Sequence, residues 1–321
     1  MEEFITSVVG FILGDSNLTK AGLKELFYSN GLDWLWVFIR DYIFNYKVWI
    51  GGLLPALLLE RLMPAFPDRK KLLTPNLILD AIYPLLVLVI QVFVISAIVA
   101  AIVAFYRTYL PFANTGLLND QPVWIQAVGI FLITDLMFYV SHRTMHEVKW
   151  LWHFHTIHHC QTNMNPMTTN RVHPFESVFK TIIRTIPIGF VGGSPTTWVV
   201  FLVLNNFWGY FIHSNIRMNF GILKHVLVTP QYHRVHHSRQ PEHFDKNYGE
   251  RLVIWDQLFR SHYPGLDDYP ETGVKDADWV VEKSHSPKEL GRAFVAQMVY
   301  PFYMIYRSIA GFVRPQQTRT S

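Results

Sequence analysis

Long apolar runs broken by isolated polar positions dominate the first two thirds of the chain. The longest, "LILDAIYPLLVLVIQVFVISAIVAAIVAFY" over 77–106, carries Asp80 as its only charge. A helix that crosses a bilayer needs about 20 mostly apolar residues, so this run predicts a span or a fully buried segment. Three further runs, at 46–66, 123–140 and 196–212, are long enough for the same role. Any one of them fits a core helix of a soluble domain, but four together predict an all-α integral membrane helical bundle with about four spans.

The flanking segments are patterned differently. "GLDWLWVFIRDYIFNY" alternates aromatic and aliphatic residues with Asp33, Arg40 and Asp41, which predicts a helix lying in the membrane interface. "FESVFKTIIRTIPIGFVGG" is apolar but holds Lys180 and Arg184 and breaks at Pro187, as half of a hairpin or as an interfacial helix. "LGRAFVAQMVYPFYMIYRSIAGFVRP" predicts a terminal amphipathic or membrane-docking helix. The N-terminus begins acidic and lacks a basic leader region, so no cleaved signal peptide is expected. The chain therefore divides into an N-terminal part with an interfacial helix and two spans (1–122), a histidine-bearing part (123–263) and a C-terminal loop and helix (264–321).

Charge adds an orientation. Arg69, Lys70 and Lys71 lie between the first two spans, whereas 107–121 is nearly uncharged. The positive-inside rule puts the first of these loops in the cytoplasm, and three spans then bring Arg143, Lys149 and the histidines between them to the same side. A net charge of +4 is modest and gives no reason to expect a nucleic-acid partner. The single cysteine, Cys160, excludes an intrachain disulfide and removes iron–sulfur and thiolate-zinc sites.

The histidines change the picture most. All fifteen fall after residue 141, and fourteen lie between His142 and His262. Three spacings recur: His142-x-x-x-His146, His155-x-x-His158-His159 and His233-x-x-His236-His237. Residues three and four apart share a helix face, so each box is expected to present its imidazoles to a single point, as a metal requires. The boxes supply eight imidazoles and His213, in "GYFIHSN", a ninth. A zinc site takes four ligands, so two metal ions are expected. "HRTMH" has Arg143 where a zincin needs glutamate, which excludes that protease class. Imidazole suits iron, copper or zinc. A nitrogen-only pair of metals near a bilayer is best suited to dioxygen chemistry in a water-poor shell.

At this point the residues resemble a family, the fatty acid hydroxylase/sterol desaturase superfamily of membrane-bound non-haem di-iron oxygenases. "DLMFYVSHRTMH" resembles its first histidine box, with Asp135 as the implied partner behind the ligands, and "FHTIHH" resembles the second. "TTNRVHPFE" is similar to an Arg-x-His-Pro element that places His173 near the site. "FIHSN" carries His213, "TPQYHRVHHS" resembles the third box, and "KNYGERLVIWDQLF" resembles a closing segment in which Asn247, Trp255 and Asp256 support structure. The resemblance implies a helical membrane stem with a cytosolic histidine-rich helical cap, two iron ions, and hydroxylation or desaturation of a lipid C–H bond. Its metal ligands would be His142, His146, His155, His158, His159, His173, His213, His233, His236 and His237. Members that hydroxylate fatty acids at position 2 carry a further histidine where this chain has Gly209, and His173 is the replacement weighed here against a histidine bound within its loop. His153 faces away from its box and is left out, and His225, His243, His262 and His285 are read as surface or substrate-entry residues. Arg143, Arg171 and Glu176 are candidates to orient the imidazoles, with a surface ion pair as the competing reading for Glu176.

Dioxygen chemistry needs electrons, and "VGGSP" has neither the spacing nor the context of a nucleotide-binding turn. No haem, flavin or nicotinamide site is expected in the chain. An external donor such as cytochrome b5 or a ferredoxin is the expected partner, with a lipid as substrate. A membrane haem-binding electron-transfer protein and a di-zinc membrane hydrolase are the alternatives.

Overall fold

The computed structural model describes residues 46–65, 74–90, 96–110, 115–186, 188–218, 220–275 and 285–311, with a few isolated positions besides. The expected interfacial helix over 31–45, and the basic cluster of Arg69, Lys70 and Lys71, lie outside the described residues. Among the described residues the chain is helical, and pairing of extended segments is limited to three isolated bridges, Pro64 with Ile216, Leu227 with Leu252 and Ser238 with Thr272.

The helices are α1 (Tyr46–Leu62), α2 (Pro75–Ile90), α3 (Ser96–Tyr109), α4 (Val123–Glu147), α5 (Lys149–His159), α6 (Pro174–Thr185), α7 (Ile188–Val191), α8 (Pro195–His213), α9 (Pro230–His236), α10 (Ile254–Leu258) and α11 (Pro287–Ile309). The runs at 46–66, 123–140 and 196–212 fall on α1, α4 and α8, and the long run at 77–106 holds two helices, α2 and α3. Among the described residues α4 alone is long and apolar enough to cross a membrane. It continues past its apolar run to Glu147. The helix therefore carries His142 and His146 on its last two turns.

The chain divides into two compact units. One comprises Met1–Leu54, Leu88–Thr134 and Thr181–Phe207, the other Pro55–Val87, Asp135–Lys180 and Trp208–Ser321. In the first, the turn before α8 is held by side chains of the α3–α4 connection and of α4. Asn119 Oδ1 accepts from Gly193 N at 2.9 Å and Gln126 Oε1 from Ser194 N at 2.8 Å. Gly192 has φ +72°, and a Cβ there would meet Asn119 Oδ1 at 2.2 Å, so only glycine fits that approach.

The second unit holds every histidine of the three boxes. Its main core joins Leu79 and Tyr83 of α2, Ile157 and Cys160 at the end of α5, and Leu290, Ala293 and Tyr300 of α11. A smaller cluster of Met145, Leu151 and Phe154 fills the angle between α4 and α5. One residue, Val148 in an extended conformation (φ −90°, ψ 109°), separates these two helices. Lys149, Trp150, Leu151 and Trp152 are already helical, so the turn between the first two boxes is this single residue.

Beneath this core lies a charge. Asp80 and Arg171 are both fully buried and paired, Arg171 Nε donating to Asp80 Oδ1. Gln161 Nε2 at 2.7 Å and Asn165 Nδ2 at 2.9 Å donate to the other carboxylate oxygen. The lone charge of the longest apolar run is therefore the anchor that ties α2 to the segment following α5. Removing one partner of a buried pair leaves the other charge uncompensated and costs about 3–5 kcal/mol. Asp80→Ala is expected to lower the thermal unfolding midpoint of the detergent-solubilised protein sharply, and an unchanged midpoint would show that water reaches Arg171.

Candidate metal centre

Four helices deliver the imidazoles. His142 and His146 stand one turn apart on α4, His155, His158 and His159 on α5, His213 at the end of α8, and His233, His236 and His237 on and just after α9. α9 starts where it does because Pro230 takes its first position and the Thr229 hydroxyl accepts from Tyr232 N at 3.1 Å. All nine rings are buried.

They converge as two groups. His142, His146, His155, His159 and His236 form one, and His158, His213, His233 and His237 the other, the ligand atoms of each lying within 4.8 Å of one another. The boxes do not each serve one point, as the spacing had led us to expect. On α5 the i, i+4 pair His155 and His159 joins the first group and His158 the second. In the third box His233 and His237 join the second group and His236 the first. A helix turns about 100° per residue, so the middle histidine of each box stands about 60° from the first and about 100° from the last, enough to aim it at a different point. Each His-x-x-His-His box therefore bridges both groups.

The inner nitrogens crowd together while several outer ones are tied down. In the first group Nε2 of His142 and His236 stand 3.0 Å apart, those of His146 and His159 3.1 Å, and those of His155 and His159 3.2 Å. In the second, His233 and His213 are 3.0 Å apart, with His158–His213 and His233–His237 both at 3.2 Å. Behind the rings, His142 Nδ1 donates to Tyr248 O (2.9 Å), His236 Nδ1 to Lys246 O (2.8 Å), His213 Nδ1 to Gly209 O (2.7 Å) and His155 Nδ1 to Glu176 Oε1 (2.8 Å). A neutral imidazole whose Nδ1 carries the proton has only a lone pair at Nε2. His142 and His236 thus aim two lone pairs at each other, and only a cation between them makes that arrangement favourable. The donor set fits a metal in both groups.

Two carboxylates build the frame behind these nitrogens. Asp256 accepts from Tyr248 N (2.8 Å), Gly249 N (2.7 Å), Tyr232 Oη (2.9 Å) and Ser261 Oγ (2.6 Å), which fixes the loop whose carbonyls meet His142 and His236. A Cβ on Gly249 would stand 2.8 Å from both Asp256 Oδ2 and Leu252 O, so glycine is required there. Asp135 accepts from Arg251 Nη1 (3.0 Å), Leu252 N (3.2 Å) and Trp255 Nε1 (2.8 Å). It holds the same loop to α4 and is not the direct partner of a histidine that the resemblance implied. Trp255 and Asp256 support structure as expected, and Asn247 joins them, donating to Tyr232 O and accepting from Tyr263 N at φ +60°.

Other expectations resolve differently. His173 is not brought to either group: its Nε2 meets Met298 O at 3.3 Å and its Nδ1 accepts from Phe175 N at 3.1 Å. At Gly209 a Cβ would meet Thr169 Oγ1 at 2.8 Å, so a side chain there would have to displace that hydroxyl. His153 is in neither group, and His243, read as a surface residue, is buried. Arg171 serves Asp80, and Arg143 binds Glu147, Tyr139 Oη and Phe259 O. Glu176 is no surface ion pair: it is fully buried against His155 and Lys180. Of the candidates to orient an imidazole, Glu176 does so, at His155 Nδ1.

Burial is the first cause that drives the imidazoles of His155, His158, His159, His233, His236 and His237 below the ordinary histidine value, His236 to about 3. For His158, His159, His233 and His237 the neighbouring imidazoles push further in the same direction. Neutral rings are the form that binds metal. Burial alone would raise Glu176, but its interactions with His155 and Lys180 outweigh it and hold the carboxyl at about 2. Because the unfolded chain takes up protons on these histidines below about pH 6.5 and the folded chain only at much lower pH, protein stripped of metal loses stability as pH falls through that range. Its unfolding midpoint, followed from about pH 7.5 to about pH 5, is expected to drop steadily, and a flat profile would mean that the rings are hydrated in the fold.

Comparison with known proteins accords with this centre. A model of the fatty acid hydroxylase family matches residues 127–261. The chain is 31% identical to an ornithine lipid hydroxylase of Rhizobium tropici over 185 residues, which is 57% of this chain and 52% of that protein. It is 35% identical to the human alkylglycerol monooxygenase over 142 residues, 44% of this chain and 31% of that protein. A very-long-chain aldehyde decarbonylase of rice is 28% identical over 157 residues, 45% of this chain and 24% of that protein. The chain thus spans about half or less of the length of these relatives. No solved structure matches it. The stretch that matches the fatty acid hydroxylase family, residues 127–261, carries all nine converging histidines.

Proposed function

We propose that this protein is a membrane-bound di-iron oxygenase that hydroxylates a C–H bond in the alkyl part of a lipid. Dioxygen and two electrons from a separate carrier complete the reaction: one oxygen atom enters the C–H bond, and the other leaves as water with two protons. The observation that carries this reading is the convergence of nine buried imidazoles as a group of five beside a group of four. Iron bound in both groups supplies the reductive activation of dioxygen.

The chain's own part is positional. Carbonyl and carboxylate acceptors hold His142, His155, His213 and His236 in one ring orientation and one tautomer. Burial of the rings excludes bulk water from the place where a reactive oxidant acts. Which carbon reacts is then a matter of reach from that fixed point. We take hydroxylation over desaturation because the ornithine lipid hydroxylase and the alkylglycerol monooxygenase, by their names, insert oxygen into lipids.

The wider arrangement belongs to the same proposal. It comprises two spans within 1–122, the catalytic part over 123–263 and a docking helix in 264–321, with about four spans in all and the histidines on the cytoplasmic side. The electron donor is external, a cytochrome b5, a ferredoxin or a carrier of that kind. The alternatives fare worse against the geometry. Neighbouring Nε2 atoms only 3.0–3.2 Å apart leave no space for a porphyrin between them. Five imidazoles exceed the four ligands of an ordinary zinc site.

The test is turnover under labelled dioxygen. Purified protein is expected to hold two iron ions per chain and, given a reductant, to place one labelled oxygen atom in a lipid product. His236→Ala is expected to bring turnover down to background. A product lacking two hydrogens and gaining no oxygen would make the enzyme a desaturase. A haem absorption band, or lipid cleavage that continues without oxygen or reductant, would overturn the proposal.

A further inference from the structure

The two histidine groups are backed unequally. In the five-membered group the outer nitrogens of His142 and His236 donate to carbonyls, and that of His155 donates to the Glu176 carboxylate at 2.8 Å. In the four-membered group His213 donates to a carbonyl, while Nδ1 of His158, His233 and His237 is buried with no hydrogen-bond partner among the described residues. A partner on the outer nitrogen fixes the ring and raises the basicity of the inner one, and a carboxylate does so more strongly than a neutral carbonyl. Asp245 comes only to 4.0 Å from His146 Nδ1, outside hydrogen-bonding distance.

Glu176 is an expensive residue to bury, and its surroundings show what it serves. Both its side chain and that of His155 are fully buried. Lys180, one turn along α6, contacts the same carboxylate oxygen that accepts from His155, and Oε2 has no hydrogen-bond partner among the described residues. A buried carboxylate persists where opposite charge and hydrogen bonds compensate it. Lys180 does so from one side, and a cation on the inner nitrogen of His155 does so from the other, through the ring.

We infer that the five-histidine group holds its ion more tightly than the four-histidine group, and that Glu176 is the positioning residue that makes it so, acting through His155. The inference rests on the reading that both groups bind iron, and it adds that the two ions are not equivalent. Loss of a partner behind a metal-bound histidine lowers affinity on the order of 10- to 100-fold. Glu176→Gln keeps the size and an acceptor oxygen for His155 and removes only the charge, so a role in ring orientation alone would survive it.

The experiment follows release of iron(II), loaded without oxygen, to a colorimetric chelator. The full-length protein is expected to release two ions in two separate phases, and removal of the four-membered group by His233→Ala with His237→Ala is expected to leave the slow phase. Glu176→Gln is expected to quicken the slow phase about 10- to 100-fold and to leave the fast phase unchanged. Because that variant leaves the partly buried Lys180 without its carboxylate partner, the double variant Glu176→Gln with Lys180→Met is measured beside it and is expected to show the same acceleration. Two ions released at one rate would overturn the inequality, and a slow phase untouched in both variants would overturn the role of Glu176. A protein that binds fewer than two ions would overturn the di-iron reading and this inference with it.

Discussion

Nine imidazoles buried with their lone pairs turned inward are the constraint on which the second unit is built. Such a cluster is unfavourable by itself: rings are removed from water, and basic nitrogens face each other at about hydrogen-bond distance with too few protons to share. The fold answers by taking charge of the opposite side of several rings. Tyr248 O, Lys246 O, Gly209 O and Glu176 each accept from one Nδ1. The inner nitrogens are thereby left as acceptors of a cation.

Much of the remaining polar structure serves those acceptors. Asp256 gathers two backbone N–H groups and two hydroxyls so that the loop 246–249 keeps its carbonyls against His142 and His236. Asp135 holds the other end of that loop to the helix that bears His142. The apolar core supports the same end, because α5 carries three of the imidazoles on a helix clamped between α2 and α11. A change in the closing loop therefore reaches the metal ligands without touching them, since networks of buried hydrogen bonds shift as units.

The five-and-four division also separates two properties that a single symmetric site would share. One group is fixed by carbonyls and a carboxylate, and the other mostly by packing of its own rings. In the proposed di-iron centre, such unequal backing would give ions of unequal character. The inequality here originates outside the ligand set, on α6.

The spacing of the histidines was enough to name eight of the nine converging residues, because helical periodicity is local and survives any packing, and His213 was named from its place at the end of an apolar run. The helical class was equally legible from the apolar runs. Which histidine joins which ion was not, since the boxes split according to where α4, α5, α8 and α9 meet, and that depends on contacts between residues far apart in the chain. The same limit left Glu176 between a surface ion pair and an orienting role until folding buries it against His155, and gave His173 a role that its bonds to Met298 and Phe175 do not support. Sequence by itself determined which nine histidines converge and the nitrogen donors they offer. Tertiary structure alone decided how the ligands are shared and what stands behind each ring, because a hydrogen bond to Nδ1 comes from whichever backbone or side chain the fold places there.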